Sequence, residues 1–148
     1  MQESTALATL IIIAGSGILT FQGFNKPAFF QKLMFDNRAI IQGKEYYRMF
    51  TSGFLHANWM HFAFNMFSLY SFGSDIERIF SPLNLLIIYF AAILGGNFLS
   101  LALYKNIHYR AIGASGGVCG VIFASIFLIP GGSIYIIPIP IAIPSWAF

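Results

Sequence analysis

The chain has 148 residues, 57% of them hydrophobic and 9% charged, whereas an ordinary soluble domain is about a quarter charged. That excludes a water-soluble fold able to cover its own apolar surface, and apolar runs recur along the whole chain, so it reads as one polytopic membrane domain over 1–148. The net charge of +3 does not point to nucleic acid, because the basic residues are scattered over connecting stretches and interleaved with Asp36, Glu45 and Glu77, the ordinary pattern of membrane-protein loops.

Ala6 to Phe24 is apolar and follows Gln2, Glu3, Ser4 and Thr5 with no positive stretch before it, which predicts a retained first transmembrane helix rather than a cleaved signal. At about 1.5 Å per residue it spans close to 30 Å. Asn25 to Leu55 is a long connection in which Lys26, Lys32, Arg38, Lys44 and Arg48 stand among Phe29, Phe30, Tyr46 and Tyr47, a mixture suited to the membrane interface. A second helix is expected from about Ala57 to Phe72, interrupted by His61, Asn65 and Ser68 and ending where Gly73, Ser74, Asp75 and Glu77 restore polarity.

Pro82, a favoured first-turn residue, opens a third helix to Tyr104, in which Gly95, Gly96, Asn97 and Ser100 imply close helix neighbours. Lys105 to Arg110 forms a loop before a fourth helix, Ile112 to Ile129, which opens on Gly113-Ala114-Ser115-Gly116-Gly117 and stops at Pro130, Gly131 and Gly132. Ile134 to Phe148 is apolar but holds Pro138, Pro140 and Pro144, and reads as the opening of a fifth helix. The fold class is therefore an all-α transmembrane bundle with four complete helices and a partial fifth. Seven of the eight Lys and Arg residues lie in the first and third connections, so the positive-inside bias alone places the N-terminus outside.

His61 and Asn65 are one helical turn apart on one face. Buried in a membrane helix, such a pair either glues neighbouring helices or addresses a ligand. Ser115 lies in a G-x-S-x-G string, but no strand pattern precedes it, so the soluble-hydrolase nucleophile elbow does not apply. A serine in the first turn of a helix nevertheless sits among unpartnered N–H groups at the positive end of the dipole, where an oxyanion is stabilised. The competing reading is packing, since Gly116, Gly120 and Ala124 form a stripe of small residues. Together, a nucleophile with backbone donors and side-chain donors on a neighbouring helix make the skeleton of an acyl-transfer site. Neither a metal cluster nor a cofactor motif is apparent.

Three motifs in order carry a resemblance to a known family: His56-Ala57-Asn58-Trp59-Met60-His61-Phe62-Ala63-Phe64-Asn65, then Gly73-Ser74-Asp75-Ile76-Glu77, then Gly113-Ala114-Ser115-Gly116, with Tyr46-Tyr47-Arg48 upstream. This combination resembles the rhomboid intramembrane serine proteases. The resemblance implies a six-helix membrane enzyme whose nucleophile is Ser115 and whose oxyanion hole is formed by His61, Asn65 and the Ser115 N–H. His56, Gly113, Gly116, Arg48 and Glu77 match supporting positions. It further implies transmembrane protein substrates, a multi-pass place in the cell membrane, bacterial inner membrane by type, and a cytoplasmic N-terminus, which overrides the charge count. The family's general base is a histidine on the sixth helix, and this sequence has no match for it. A C-terminal continuation or a partner chain is expected to supply that histidine, and without a base the serine is a poor nucleophile. The alternative is an inactive rhomboid-like protein that binds transmembrane segments.

Overall fold

The computed structural model describes residues 6–129, 133–136 and 139–144. Helix α1, Leu7–Asn25, ends where Pro27 can neither donate the next helical hydrogen bond nor leave Lys26 helical, and Pro27 instead starts α2, Pro27–Leu33. Strand β1, Phe35–Asp36, leads into α3, Asn37–Gly43, and α4, Arg48–Thr51, continues into a single 3₁₀ turn, Ser52–Phe54. Helix α5, Trp59–Ser68, runs through a π turn at Leu69–Gly73 into α6, Ser74–Ile79. Helix α7 is Pro82–Leu103, β2 is Arg110–Ala111, and α8 is Ser115–Leu128. The chain is an all-α bundle, and α1 and α7 are long and apolar enough to cross a membrane.

Where the structure departs from the expectations, the reasons are local. The second helix does not stop at Phe72: the polar residues after it stay helical because Glu77 has a buried partner. Its carboxylate accepts hydrogen bonds of 2.8 Å from the N–H groups of Ala8 and Thr9 and from the Thr9 hydroxyl. These N–H groups lie in the first turn of α1 and have no intrahelical acceptor. The fourth helix begins at Ser115 rather than Ile112, because Arg110–Ala111 is drawn into an antiparallel pair with Phe35–Asp36. The last stretch does not enter a fifth helix: β3, Ser133–Ile136, pairs antiparallel with β4, Ile139–Pro144. Isoleucine favours extended backbone, and prolines remove the donors a helix would need. The parts of that expectation resting on Pro138 and on residues 145–148 fall outside the described residues.

Helices α7 and α8 touch at the backbone. A Cβ added to Gly117 would lie 2.7 Å from the Tyr89 ring, and one on Gly120 would overlap the Cβ of Ala92. Around this contact Ile12, Leu69, Leu85, Tyr89 and Val121 form the main buried cluster.

A second, polar centre joins the first connection to the loop before α8. Asp36 caps α3 through the N–H groups of Arg38 and Ala39, and its other oxygen meets Arg110 at 2.8 Å and His108 at 3.0 Å. Burial alone would raise the Asp36 pKa, but the hydrogen bonds from His108, Ala39 and Arg110 outweigh it and hold the carboxyl well below the usual carboxylate range. Asn37 completes the tie, donating to the carbonyls of Tyr104 and Ile107 and accepting from the Tyr109 N–H.

Replacing Glu77 by alanine is expected to cost on the order of 2–4 kcal/mol, because two helix-terminal donors are left buried without an acceptor. Unfolding in detergent measures this, and an unchanged midpoint would show that α1 needs no such cap.

Candidate functional site

Two helix N-termini meet at Gly113. Asn58 caps α5 by accepting from the His61 N–H at 2.8 Å, which puts His61 in the first turn. Ser115 is the first residue of α8 and is exposed; the first intrahelical bond there runs from the Val118 N–H to the Ala114 carbonyl. The N–H groups of Ser115, Gly116 and Gly117 therefore precede any intrahelical acceptor, at the positive end of the α8 dipole.

Gly113 has φ +126°, a conformation L side chains rarely adopt. A Cβ at this position would lie 2.9 Å from His61 Cε1, 3.2 Å from His61 Nε2 and 3.7 Å from Ser115 Oγ. The glycine thus leaves room for the imidazole and the hydroxyl to face the same small volume. The Ala57 N–H makes a long hydrogen bond of 3.5 Å to His61 Nδ1. A nitrogen that accepts carries no proton, so neutral His61 carries its proton on Nε2, on the Gly113 side.

The other expected residues fall into distinct places. Asn65 is buried on the same helix, and one of its amide hydrogens goes to the His61 carbonyl at 2.9 Å, which leaves its second N–H without an acceptor among the described residues. His56 is fully buried, with its ring edge-on to His61 at 5.1 Å between centroids. Burial first, and the facing His61 second, push its pKa down to about 4. Gly116 lets α8 approach the α7 backbone, its absent Cβ 3.7 Å from the Ala92 carbonyl oxygen. Arg48 and Glu77 are away from the serine. Arg48 donates to the carbonyls of Gln31 and Met34 and pairs with Glu45, fastening the first connection onto the end of α2.

Three contributors had no clear signal in the sequence. Ser52 accepts at its carbonyl from the Gly113 N–H, 3.0 Å, and so fixes the approach to Ser115. Asn97, expected only as a packing residue, donates to the Met49 carbonyl and the Ser52 hydroxyl. Both line a cleft of about 190 Å³ with Ser100, Tyr109, Gly113 and Ser115. This cleft opens on the side of Ser115 that Ser52 and Asn97 line, and His61 and Asn65 are not among its walls. His108, which carried no motif, is engaged by Asp36.

A family model for the rhomboid domain matches residues 43–148, well over half of the chain. The chain belongs to the rhomboid family. It is 37% identical over 90 residues to RHOMBOID-like protein 6, mitochondrial, of Arabidopsis thaliana, covering 60% of this chain and 28% of that one. It is 36% identical over 93 residues to the rhomboid protease GluP of Bacillus subtilis (strain 168), covering 63% and 18%. A third relative, the inactive RHOMBOID-like protein 8 of Arabidopsis thaliana, is 31% identical over 78 residues, covering 53% and 22%. The chain thus spans less than a third of the length of each of these rhomboid relatives. No solved structure gives a significant match.

The low pKa of His56 has a defined sign. Unfolded, the imidazole takes up a proton near pH 6.5; folded, it does so only near pH 4. The contribution to stability is therefore intact above pH 6.5 and declines as the pH falls toward 4, by on the order of 3 kcal/mol in all. Unfolding midpoints measured across this window should show the decline in the wild type and lose most of it in His56→Gln.

Proposed function

We propose that this chain carries the nucleophile and the oxyanion-stabilising groups of an intramembrane serine endopeptidase. One observation carries the reading: the hydroxyl of Ser115, an exposed residue, and the His61 ring flank Gly113 at the N-terminus of α8. In this mechanism Ser115 Oγ attacks the scissile carbonyl and gives its proton to a general base. The new oxyanion accepts from the Ser115 N–H, from His61 Nε2–H and from the Asn65 amide, and the leaving amine takes the proton back from the base. Two of these donors, the Ser115 N–H and His61, belong to helix first turns, and Asn65 stands one turn further along α5, so they need little reorganisation when charge develops.

None of the three histidines of the chain is free to serve as that base. His61 is the donor, His56 is buried, and His108 is engaged by Asp36. The base is a histidine from a C-terminal continuation or a partner chain. The substrates are transmembrane segments of other membrane proteins, reached within the lipid bilayer, and the chain is multi-pass in the cell membrane, a bacterial inner membrane by type. The second reading, an inactive rhomboid-like protein that binds transmembrane segments, is favoured by this same shortage of a base.

Cleavage of a transmembrane reporter by the protein in native membranes tests the choice. Ser115→Ala is expected to abolish cleavage without loss of fold, and Asn65→Ala to slow it by about a hundredfold. Cleavage that persists in Ser115→Ala removes the peptidase reading; absence of cleavage in the wild type, with retained binding of the reporter, favours the inactive one.

A further inference from the structure

Helix α1 contributes nothing to the site in the sequence motifs, yet it reaches it through Thr20. The Thr20 hydroxyl lies 3.1 Å from the Phe54 carbonyl oxygen and 3.1 Å from His56 Nδ1. A hydroxyl has one hydrogen, and a carbonyl oxygen can only accept. The hydrogen therefore goes to Phe54, and the contact with His56 is closed by a proton on Nδ1, toward which the Phe54 carbonyl also lies. Neutral His56 is left with a bare Nε2. That nitrogen is buried and has no hydrogen-bond partner among the described residues.

The consequence for His61 is geometric. The His56 ring is held from one side by Thr20 and stands edge-on to both His61 and Phe62, at 5.1 and 5.3 Å between centroids. The His61 ring is thereby backed by an imidazole that cannot turn without breaking the Thr20 bond, and its Nε2 stays beside Gly113. We propose that Thr20 and His56 form a positioning pair: Thr20 locks His56 in the Nδ1–H tautomer, and the locked ring holds His61 in the orientation that aims its Nε2–H at the reacting carbonyl.

This rests on the reading of Ser115 and His61 given above, but its central claim is measurable without turnover. The chain has three histidines, so the ¹⁵N spectrum of histidine-labelled protein at pH 7 can be assigned by comparison with His56→Gln and His108→Gln. The expected spectrum shows His56 neutral with the proton on Nδ1. Thr20→Val, which keeps the shape and removes the hydroxyl, should mix the His56 tautomers, shift the His61 signals and lower the turnover rate about tenfold with little change in KM, about the effect of one orienting hydrogen bond. Thr20→Ser should restore all three. A wild-type His56 protonated on Nε2 overturns the proposal even if Thr20→Val fails to fold, as does a folded Thr20→Val with unchanged histidine signals. If the tautomers are as stated but wild-type protein in native membranes does not cleave, the peptidase reading fails and the Thr20–His56 lock stands.

Discussion

A helix whose first turn is buried in the protein, as α1 is at Ala8 and Thr9, has no water to satisfy its first N–H groups, and something in the protein has to accept from them. Glu77 does this for α1, taking two backbone donors and the Thr9 hydroxyl. Because Glu77 ends the segment that begins with His61, the same contact sets α1 antiparallel to the helix carrying the candidate oxyanion donors. Thr20, eleven residues or about 16 Å further along α1, then falls beside His56. The two ends of one helix pair are thus fixed by polar contacts, and the apolar packing of Ile12, Leu69 and Ile76 fills the space between. The carboxylate is structural, but the geometry around His61 depends on it.

The serine is placed by a different mechanism. Glycines at 116 and 120 let α8 lie against the α7 backbone at Ile88 and Ala92, which fixes the axis of the helix. Its start is fixed by the chain before it, through the Asp36–Arg110 and Ser52–Gly113 contacts. Van der Waals contact at such a short separation is directional in a way that packing of long side chains is not, since there are no rotamers to absorb a shift.

Much of this was legible in the residues. The apolar spans of α1 and α7 and the presence of a helix around the serine follow from hydropathy, Pro82 and the Gly113–Gly117 string, though not its start at Ser115, and His61 and Asn65 share a face by spacing alone. What was not legible depended on contacts distant in sequence. Gly73 to Glu77 looked like a helix end because polar residues in a membrane chain suggest a loop, and only the partner on α1, nearly seventy residues away, makes them helical. Thr20 and Ser52 are ordinary hydroxyl residues in sequence, and their roles come from what faces them. The β1–β2 ladder is two residues long on each side, too short for any alternation to signal it. Asp36-Asn37 before a helical run was a capping signal that could have located the start of α3.

Between Arg110 and Gly113 the chain is anchored at both ends, at one by Asp36 and at the other by the Ser52 carbonyl. Two residues span the gap. Such a segment has almost no slack, so its length is under a far stricter constraint than that of the preceding turn around Lys105 to Ile107. Relatives that preserve these anchors should differ in length on the Lys105 side of the anchors and hold a constant count from Arg110 to Ser115. Added or deleted residues there would rotate the start of α8 and carry the hydroxyl off the face it shares with the imidazole, leaving every side chain present and the site disassembled.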